Sequence, residues 1–188
     1  MRLFVAIDLD EGARAAIAAE QRRVAGAIGD ADRSALKWVA TDKMHLTLVF
    51  LGETLETGVK RLVDTLSSDF DRESFVVVFA GLGVFPPTGP PRVLWLGVRE
   101  GASAVADLYV EVARRIEAVG IDIEKRAFHP HLTLGRWRSS RPLDARRTLA
   151  SDSGEEVARV RVDSVTLYDS RLSPTGPDYT PLARVKLT

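Results

Sequence analysis

Two periods of hydrophobic spacing take turns along the chain, one of two residues and one of three to four, and they predict alternating strands and helices. Leu3 to Ile7 is a short apolar run that predicts a strand, and Glu11 to Ile28 carries apolar positions at helical spacing, closing at Gly29. Lys37-Trp38-Val39 reads as a brief extended piece. Met44 to Leu51 is a strand ending at Gly52, and Thr57 to Leu66 is a second helix. Ser74 to Val84 closes the first half as a strand. The dense breaker cluster Pro86-Pro87-Thr88-Gly89-Pro90-Pro91 reads as the joint between halves. Beyond it come a strand over Val93 to Val98 and a helix over Ala102 to Val119 ending at Gly120. Phe128 to Arg136 is extended, Leu143 to Ala150 is weakly helical, and Val157 to Leu167 reads as one strand.

Each half therefore reads strand, helix, short strand, strand, helix, strand, and each fourth element carries His-Leu-Thr-Leu. The histidines, His45 and His131, stand 86 residues apart, and the opening strands, at Arg2 and Val93, stand 91 apart, so small insertions separate two degenerate copies. The expectation is an α+β fold in a single domain, 1–188. Its first repeat covers about 1–85 and its second about 92–168, with a C-terminal strand over 179–187. Two pseudo-twofold lobes with antiparallel sheets should line a central cleft.

Composition narrows the partners. Twenty-six basic residues cancel 26 acidic ones, so the chain lacks the global positive charge of a general nucleic-acid binder and any RNA contact must be local. With no cysteine, disulfides and thiolate chemistry are excluded. The apolar run at the N-terminus is too short for a signal peptide, and no later run approaches the roughly 20 residues of a membrane span. The expectation is a cytoplasmic monomer that binds no membrane.

The repeated tetrapeptide carries the chemistry. In a strand alternate side chains share a face, so His45 and Thr47 point one way and Leu46 and Leu48 the other, as do His131 and Thr133 against Leu132 and Leu134. Two imidazoles flanking one phosphate can divide acid and base work near neutral pH, while threonine hydroxyls hold the non-bridging oxygens. Position +5 is Phe50 in one copy and Arg136 in the other. By parity Arg136 falls on the leucine face, so a phosphate-binding role requires a bulge at Gly135.

Met44 to Gly52, Phe128-His129-Pro130-His131-Leu132-Thr133-Leu134-Gly135-Arg136 and Leu167-Tyr168-Asp169-Ser170 resemble the signatures of the LigT-like branch of the two-histidine (2H) phosphoesterases, RNA 2′,3′-cyclic phosphodiesterases. The opening Arg2 to Ile7 and the segment Ser170 to Tyr179 fit the same pattern, so the likeness spans the chain. The resemblance implies a bilobal fold with a V-shaped cleft, no metal or other cofactor, and hydrolysis of a terminal 2′,3′-cyclic phosphate on RNA to a 2′-phosphate. It implies His45 as proton donor and His131 as proton acceptor, and a weak reversible 2′-5′ RNA ligase activity. Spacing alone leaves the acid and base roles exchangeable.

Single residues have plainer readings. One histidine in a strand is ordinarily a hydrogen-bonded structural residue, but two in identical contexts among only three histidines favour catalysis. His129 and His131 have a metal-ligand spacing, yet no third ligand stands out nearby, and His129 reads as a rim residue. Thr47 and Thr133 are also good β-formers, and Arg136 is also an ordinary strand-end charge. Phe50, His129, Trp137 and Tyr168 are candidate substrate contacts, whereas Trp95 reads as core and the run Arg136, Arg138, Arg141 as a solvated loop. Two rival functions remain: a non-catalytic RNA-end binding module, and a phosphodiesterase acting on small cyclic nucleotides or ADP-ribose cyclic phosphate.

Overall fold

The computed structural model describes all residues except 29–34, 69, 71, 125–126 and 175. The expected stop of the first helix at Gly29 lies outside the described residues. In chain order the elements are β1 (Arg2–Asp8), α1 (Glu11–Ala27), β2 (Leu36–Trp38), a 3-10 turn (Thr41–Lys43), β3 (His45–Glu53), α2 (Glu56–Leu66) and β4 (Phe75–Phe85). They continue with β5 (Val93–Glu100), α3 (Ala102–Ala118), β6 (His131–Trp137), α4 (Pro142–Ala150), β7 (Glu156–Val162), β8 (Ser164–Ser173) and β9 (Gly176–Lys186).

Local chemistry accounts for the helix starts. The Asp10 side chain accepts from the Ala13 amide at 2.7 Å and caps α1, a bond of the kind worth about 1 kcal/mol. Helix α4 opens with Pro142 at its first position and with the Asp144 carboxylate accepting from the Arg141 amide at 2.6 Å.

The strands form two antiparallel sheets, ordered β3-β1-β8-β9 and β2-β6-β5-β4-β7. With β2 set aside the two orders correspond strand for strand: β3 with β6, β1 with β5, β8 with β4, β9 with β7. The sheets do not follow the two sequence halves. Strand β4, from the first half, pairs with β5 and β7, while β8, from the second, pairs with β1. The helices cross in the same way, for α1 packs against β7 and α3 against β3.

Two expectations change as a result. The proline-rich cluster at 86–91 is the tip of a β4–β5 hairpin within one sheet, where Phe85 pairs with Val93, and does not join two lobes. The single strand expected over Val157 to Leu167 is two strands in different sheets, divided at Asp163. Burial explains the break: β7 alternates exposed and buried side chains, whereas Ser164 to Leu167 are buried consecutively, as suits an inner strand covered on both faces.

Leu3, Val5 and Ile7 of β1, Leu46 and Leu48 of β3, Leu94 and Leu96 of β5 and Leu132 and Leu134 of β6 all enter one continuous apolar core. The opposite faces of these strands are left to line the cleft, and β3 and β6, one from each sheet, approach at the seam between the sheets. Among the described residues no helix is long and apolar enough to cross a membrane.

Candidate active site

Each motif histidine is held in the same way. His45 Nδ1 lies 2.9 Å from the Lys43 carbonyl oxygen, and His131 Nδ1 lies 2.7 Å from that of His129. A carbonyl only accepts, so Nδ1 carries the proton in both rings and Nε2 is left as the basic atom of the neutral imidazole. The Cα partner of His45 across the β1–β3 ladder is Asp8, and that of His131 across β5–β6 is Gly97.

Both motif strands bulge at the same place. In β3 the register shifts so that Ala6 faces Thr47 and Val5 faces Val49, with Leu48 the extra residue. In β6 Trp95 faces Thr133 and Leu94 faces Gly135, with Leu134 extra. One added residue reverses the parity beyond it, so Phe50 and Arg136 return to the face of the histidines while Leu51 and Trp137 are buried on the other. The bulge expected at Gly135 is thus present, centred one residue earlier. The Leu134 carbonyl accepts from the Val39 amide and from Gln21 Nε2, both at 2.9 Å, so α1 pins the distortion. Gly135 suits its place, because a Cβ there would lie 3.1 Å from the Lys37 carbonyl oxygen.

The surroundings of the two rings differ. Phe4 stacks on His45 with ring centroids 4.8 Å apart, and Tyr179 meets it edge-on at 5.2 Å. Asp8 accepts from Thr166 Oγ1 at 2.7 Å and from the Tyr168 hydroxyl at 2.6 Å. A recess of about 210 Å³ opens beside His45, lined among others by Asp8, Arg14, Lys43, Tyr168 and Tyr179. Lys43 binds Asp178 at 3.1 Å, tying the start of β9 to the turn before β3. Around His131 stand Phe85 at 5.1 Å, Trp95 at 6.1 Å and the exposed His129 at 6.2 Å.

Burial dominates the proton affinities. It pushes His45 down to about 4, opposed by the Lys43 carbonyl and the charge of Asp8 and aided by Arg14. It also lowers His131, opposed by the His129 carbonyl and aided by His129 and Arg136. Burial and the acceptor Asp8 raise Tyr168, which stays a neutral donor. Burial raises Tyr179, while the positive charges of Arg136, Lys43 and Arg2 pull it back. Arg136 on one sheet therefore acts on both His131 beside it and Tyr179, the neighbour of His45 on the other.

Of the residues singled out from the sequence, His45, Thr47, Phe50 and Tyr168 lie on the cleft face of the first sheet, and His131, Thr133 and Arg136 on that of the second. His129 sits at the rim. Trp137 is not brought to the cleft: it is 8% exposed, within the core. Trp95 exchanges places with it, lying across Gly83, where an added Cβ would come within 2.0 Å of the indole, and beside His129 at 4.9 Å. Sequence reading missed Asp8, Phe4, Gln21 and Tyr179. Alternation puts Phe4, Ala6 and Asp8 on one face of β1, but only the pairing register sets that face beside His45.

Residues 12–173 match the model of the 2′-5′ RNA ligase superfamily. The chain belongs to that superfamily. Its curated relatives include proteins named RNA 2′,3′-cyclic phosphodiesterase from Aeropyrum pernix, 38% identical over 80% of this chain and 86% of the relative, and from Archaeoglobus fulgidus, 33% identical over 95% and 96%. Among solved structures, a Thermus thermophilus protein superposes with a TM-score of 0.79 at 29% identity, covering 100% of this chain and 98% of that one. E. coli LigT complexed with 3′-AMP superposes with a TM-score of 0.78 at 28% identity, over 100% and 98%. The superfamily match takes in both motifs, yet Phe4, Asp8 and Tyr179, which wall in His45, lie outside its span.

Proposed function

We propose that the chain hydrolyses the terminal 2′,3′-cyclic phosphate of RNA to a 2′-phosphomonoester by paired-histidine acid–base catalysis. His131 Nε2 takes a proton from water, whose oxygen attacks phosphorus. The bond from phosphorus to the 3′ oxygen breaks, and His45 Nε2 returns a proton to that oxygen. Thr47, Thr133 and Arg136 hold the non-bridging oxygens and stabilise the charge that builds on them in the transition state. No step draws on a cofactor, and the ligation of RNA ends is the same displacement with a 5′ hydroxyl in place of water: its oxygen bonds to phosphorus, the bond to the 3′ oxygen breaks, and attack of the 3′ hydroxyl on the resulting 2′-5′ linkage reverses it.

The observation that carries this reading is the duplicated device: two imidazoles, each with Nδ1 bound to the carbonyl two residues back, each followed by a threonine and a bulge. Relatives that are 30–38% identical and carry the name RNA 2′,3′-cyclic phosphodiesterase support the substrate. Charge supports the division of roles. Against burial and Arg14, which lower His45, Asp8 favours the imidazolium of this ring, the acid, while at the corresponding Gly97 a Cβ would lie 3.0 Å from the Ala80 carbonyl oxygen. Arg136 favours the neutral imidazole of His131, the base.

The test is turnover of an RNA oligonucleotide ending in a 2′,3′-cyclic phosphate, with the product identified by phosphorus NMR. His45→Ala and His131→Ala should each lose about 10²–10⁴ in kcat with intact folding, and wild-type activity should survive exhaustive chelation. Undiminished turnover in either variant sinks the mechanism. A second reading, a small cyclic nucleotide as substrate, draws on the 3′-AMP held by LigT.

A further inference from the structure

We infer that the end of the second sheet beyond the bulge is a track for single-stranded RNA, with Lys37 and Arg138 binding the phosphodiesters that lie 5′ of the reacting cyclic phosphate. The inference rests on the function proposed above and extends it to the body of the substrate.

The first support is a pairing that the sheet itself disfavours. Strand β2 is three residues long, and its register on β6 sets Lys37 directly opposite Arg136 on one face. Like charges so placed repel. Arg138 continues that face, two residues beyond Arg136, because its amide extends the ladder by donating to the Ala35 carbonyl at 2.9 Å. All three side chains are exposed, and among the described residues none has a carboxylate partner. Three other arginines of this sheet and its helices are neutralised: Arg99 by Glu156 at 3.1 Å, Arg159 by Glu156 at 3.0 Å and Arg141 by Asp144 at 3.9 Å. In a chain of zero formal net charge, an unneutralised strip of three cations is a local feature that a polyanion would relieve.

The second support is direction. Along this edge His131 and Thr133 before the bulge, and Arg136 and Arg138 beyond it, follow one another on the cleft face, with alternate residues of a strand about 6.6 Å apart. A single phosphate between the motifs engages His131, Thr133 and Arg136 and leaves Arg138, with Lys37 beside it, beyond its reach. A mononucleotide has no further phosphodiester to offer Lys37 and Arg138, whereas an RNA chain does. On the opposite wall Phe50 is 57% exposed, an unusual state for a phenyl ring, and lies 6.0 Å from Phe4 in the aromatic group around His45. Cations that follow the backbone beside an exposed aromatic ring are the combination that single-strand sites use. The basic run in the sequence thus divides: Arg141 caps α4, and Arg136 and Arg138 join Lys37, which is distant in sequence.

The experiment compares kcat/KM for a 2′,3′-cyclic mononucleotide and for cyclic-phosphate oligonucleotides of increasing length. It uses wild type, the double variant Lys37→Ser/Arg138→Ser and the charge-matched control Lys60→Ser/Arg61→Ser on α2, where both side chains are exposed. Wild type should gain with chain length, and more at low salt. The double variant should lose about tenfold on oligonucleotides and lower the salt slope by about 1.4, the value for two phosphates of a single strand, with no more than a twofold change on the mononucleotide. Wild-type kcat/KM independent of length, equal losses on both substrates, or the same loss from Lys60→Ser/Arg61→Ser would each overturn the track. Anisotropy of a fluorescent RNA ending in a 3′-phosphate reads the track without turnover. If wild type hydrolyses neither substrate, the proposed reaction fails while this binding comparison still decides the track.

Discussion

At the scale of single residues, the duplicated histidines are made unequal by what the fold places beside them. Burial holds both below the usual value of 6.5, His45 at about 4. His45 gains its proton only as pH falls through about 4, and burial likewise keeps His131 neutral to lower pH than a free imidazole, so above 6.5 the free enzyme holds little acid. The kcat/KM profile should therefore peak on the acid side of 6.5, and an anionic phosphate in the cleft should move the kcat profile to higher pH. An optimum of kcat/KM above 7 would contradict this. Asp8 works against burial, so Asp8→Asn should lower the His45 pKa further, seen by NMR titration of the ring, and reduce kcat/KM in proportion to the imidazolium lost. An unchanged His45 titration in that variant would leave Asp8 as a structural hydrogen-bond acceptor only. Neutral His45 is also the form the fold tolerates best. Its folded value lies below its unfolded one, so its contribution to stability is complete above about 6.5 and is lost as pH falls toward 4.

At the scale of elements, the two bulges turn Phe50 and Arg136 back to the histidine face of their strands. Without the extra residue in β6, Arg136 would share the core face with Leu132 and Leu134, at a heavy desolvation cost. The device depends on α1, whose Gln21 donates to the Val39 carbonyl at 3.0 Å and to the Leu134 carbonyl at 2.9 Å. Gln21→Leu removes both donors and should lower stability by about 1–3 kcal/mol, measured by denaturant unfolding. Its activity loss should be largely absorbed by Arg136→Ala in a double-mutant cycle, because both act through the same guanidinium. Strictly additive losses would show that Gln21 does not act by aiming Arg136. The repeat and most elements in their order were legible in the sequence, since they follow from local periodicity and cap chemistry, but the division of Val157 to Leu167 between two sheets was not. The bulge was legible only as a condition, at Gly135, and α1's part in holding it was not legible, because that contact joins residues 113 apart.

At the scale of the whole molecule, the exchange of strands and helices between the halves makes the two lobes interdependent. Each sheet needs a strand from the other half, and each outer face needs its helix. Unfolding should be a single transition by circular dichroism and fluorescence together. Fragments produced by opening the chain at the 86–91 hairpin should be unfolded alone and regain structure on mixing. A fragment that melts cooperatively by itself would contradict the interleaving. The same arrangement places His45 and His131 on strands that meet at the seam, so any loosening of one sheet reaches both motifs.

By itself the sequence determined the alternation of elements, the duplication, the leucine face that enters the core and the pair of histidines opposite it, because these depend on side-chain type and spacing within a few residues. Tertiary structure alone decided which strand lies beside which, and with it the carboxylate near His45, the exchange of Trp95 for Trp137 at the cleft and the meeting of Lys37 with Arg136. Those outcomes depend on pairing register between distant segments, where a shift of one residue moves every side chain to the opposite face.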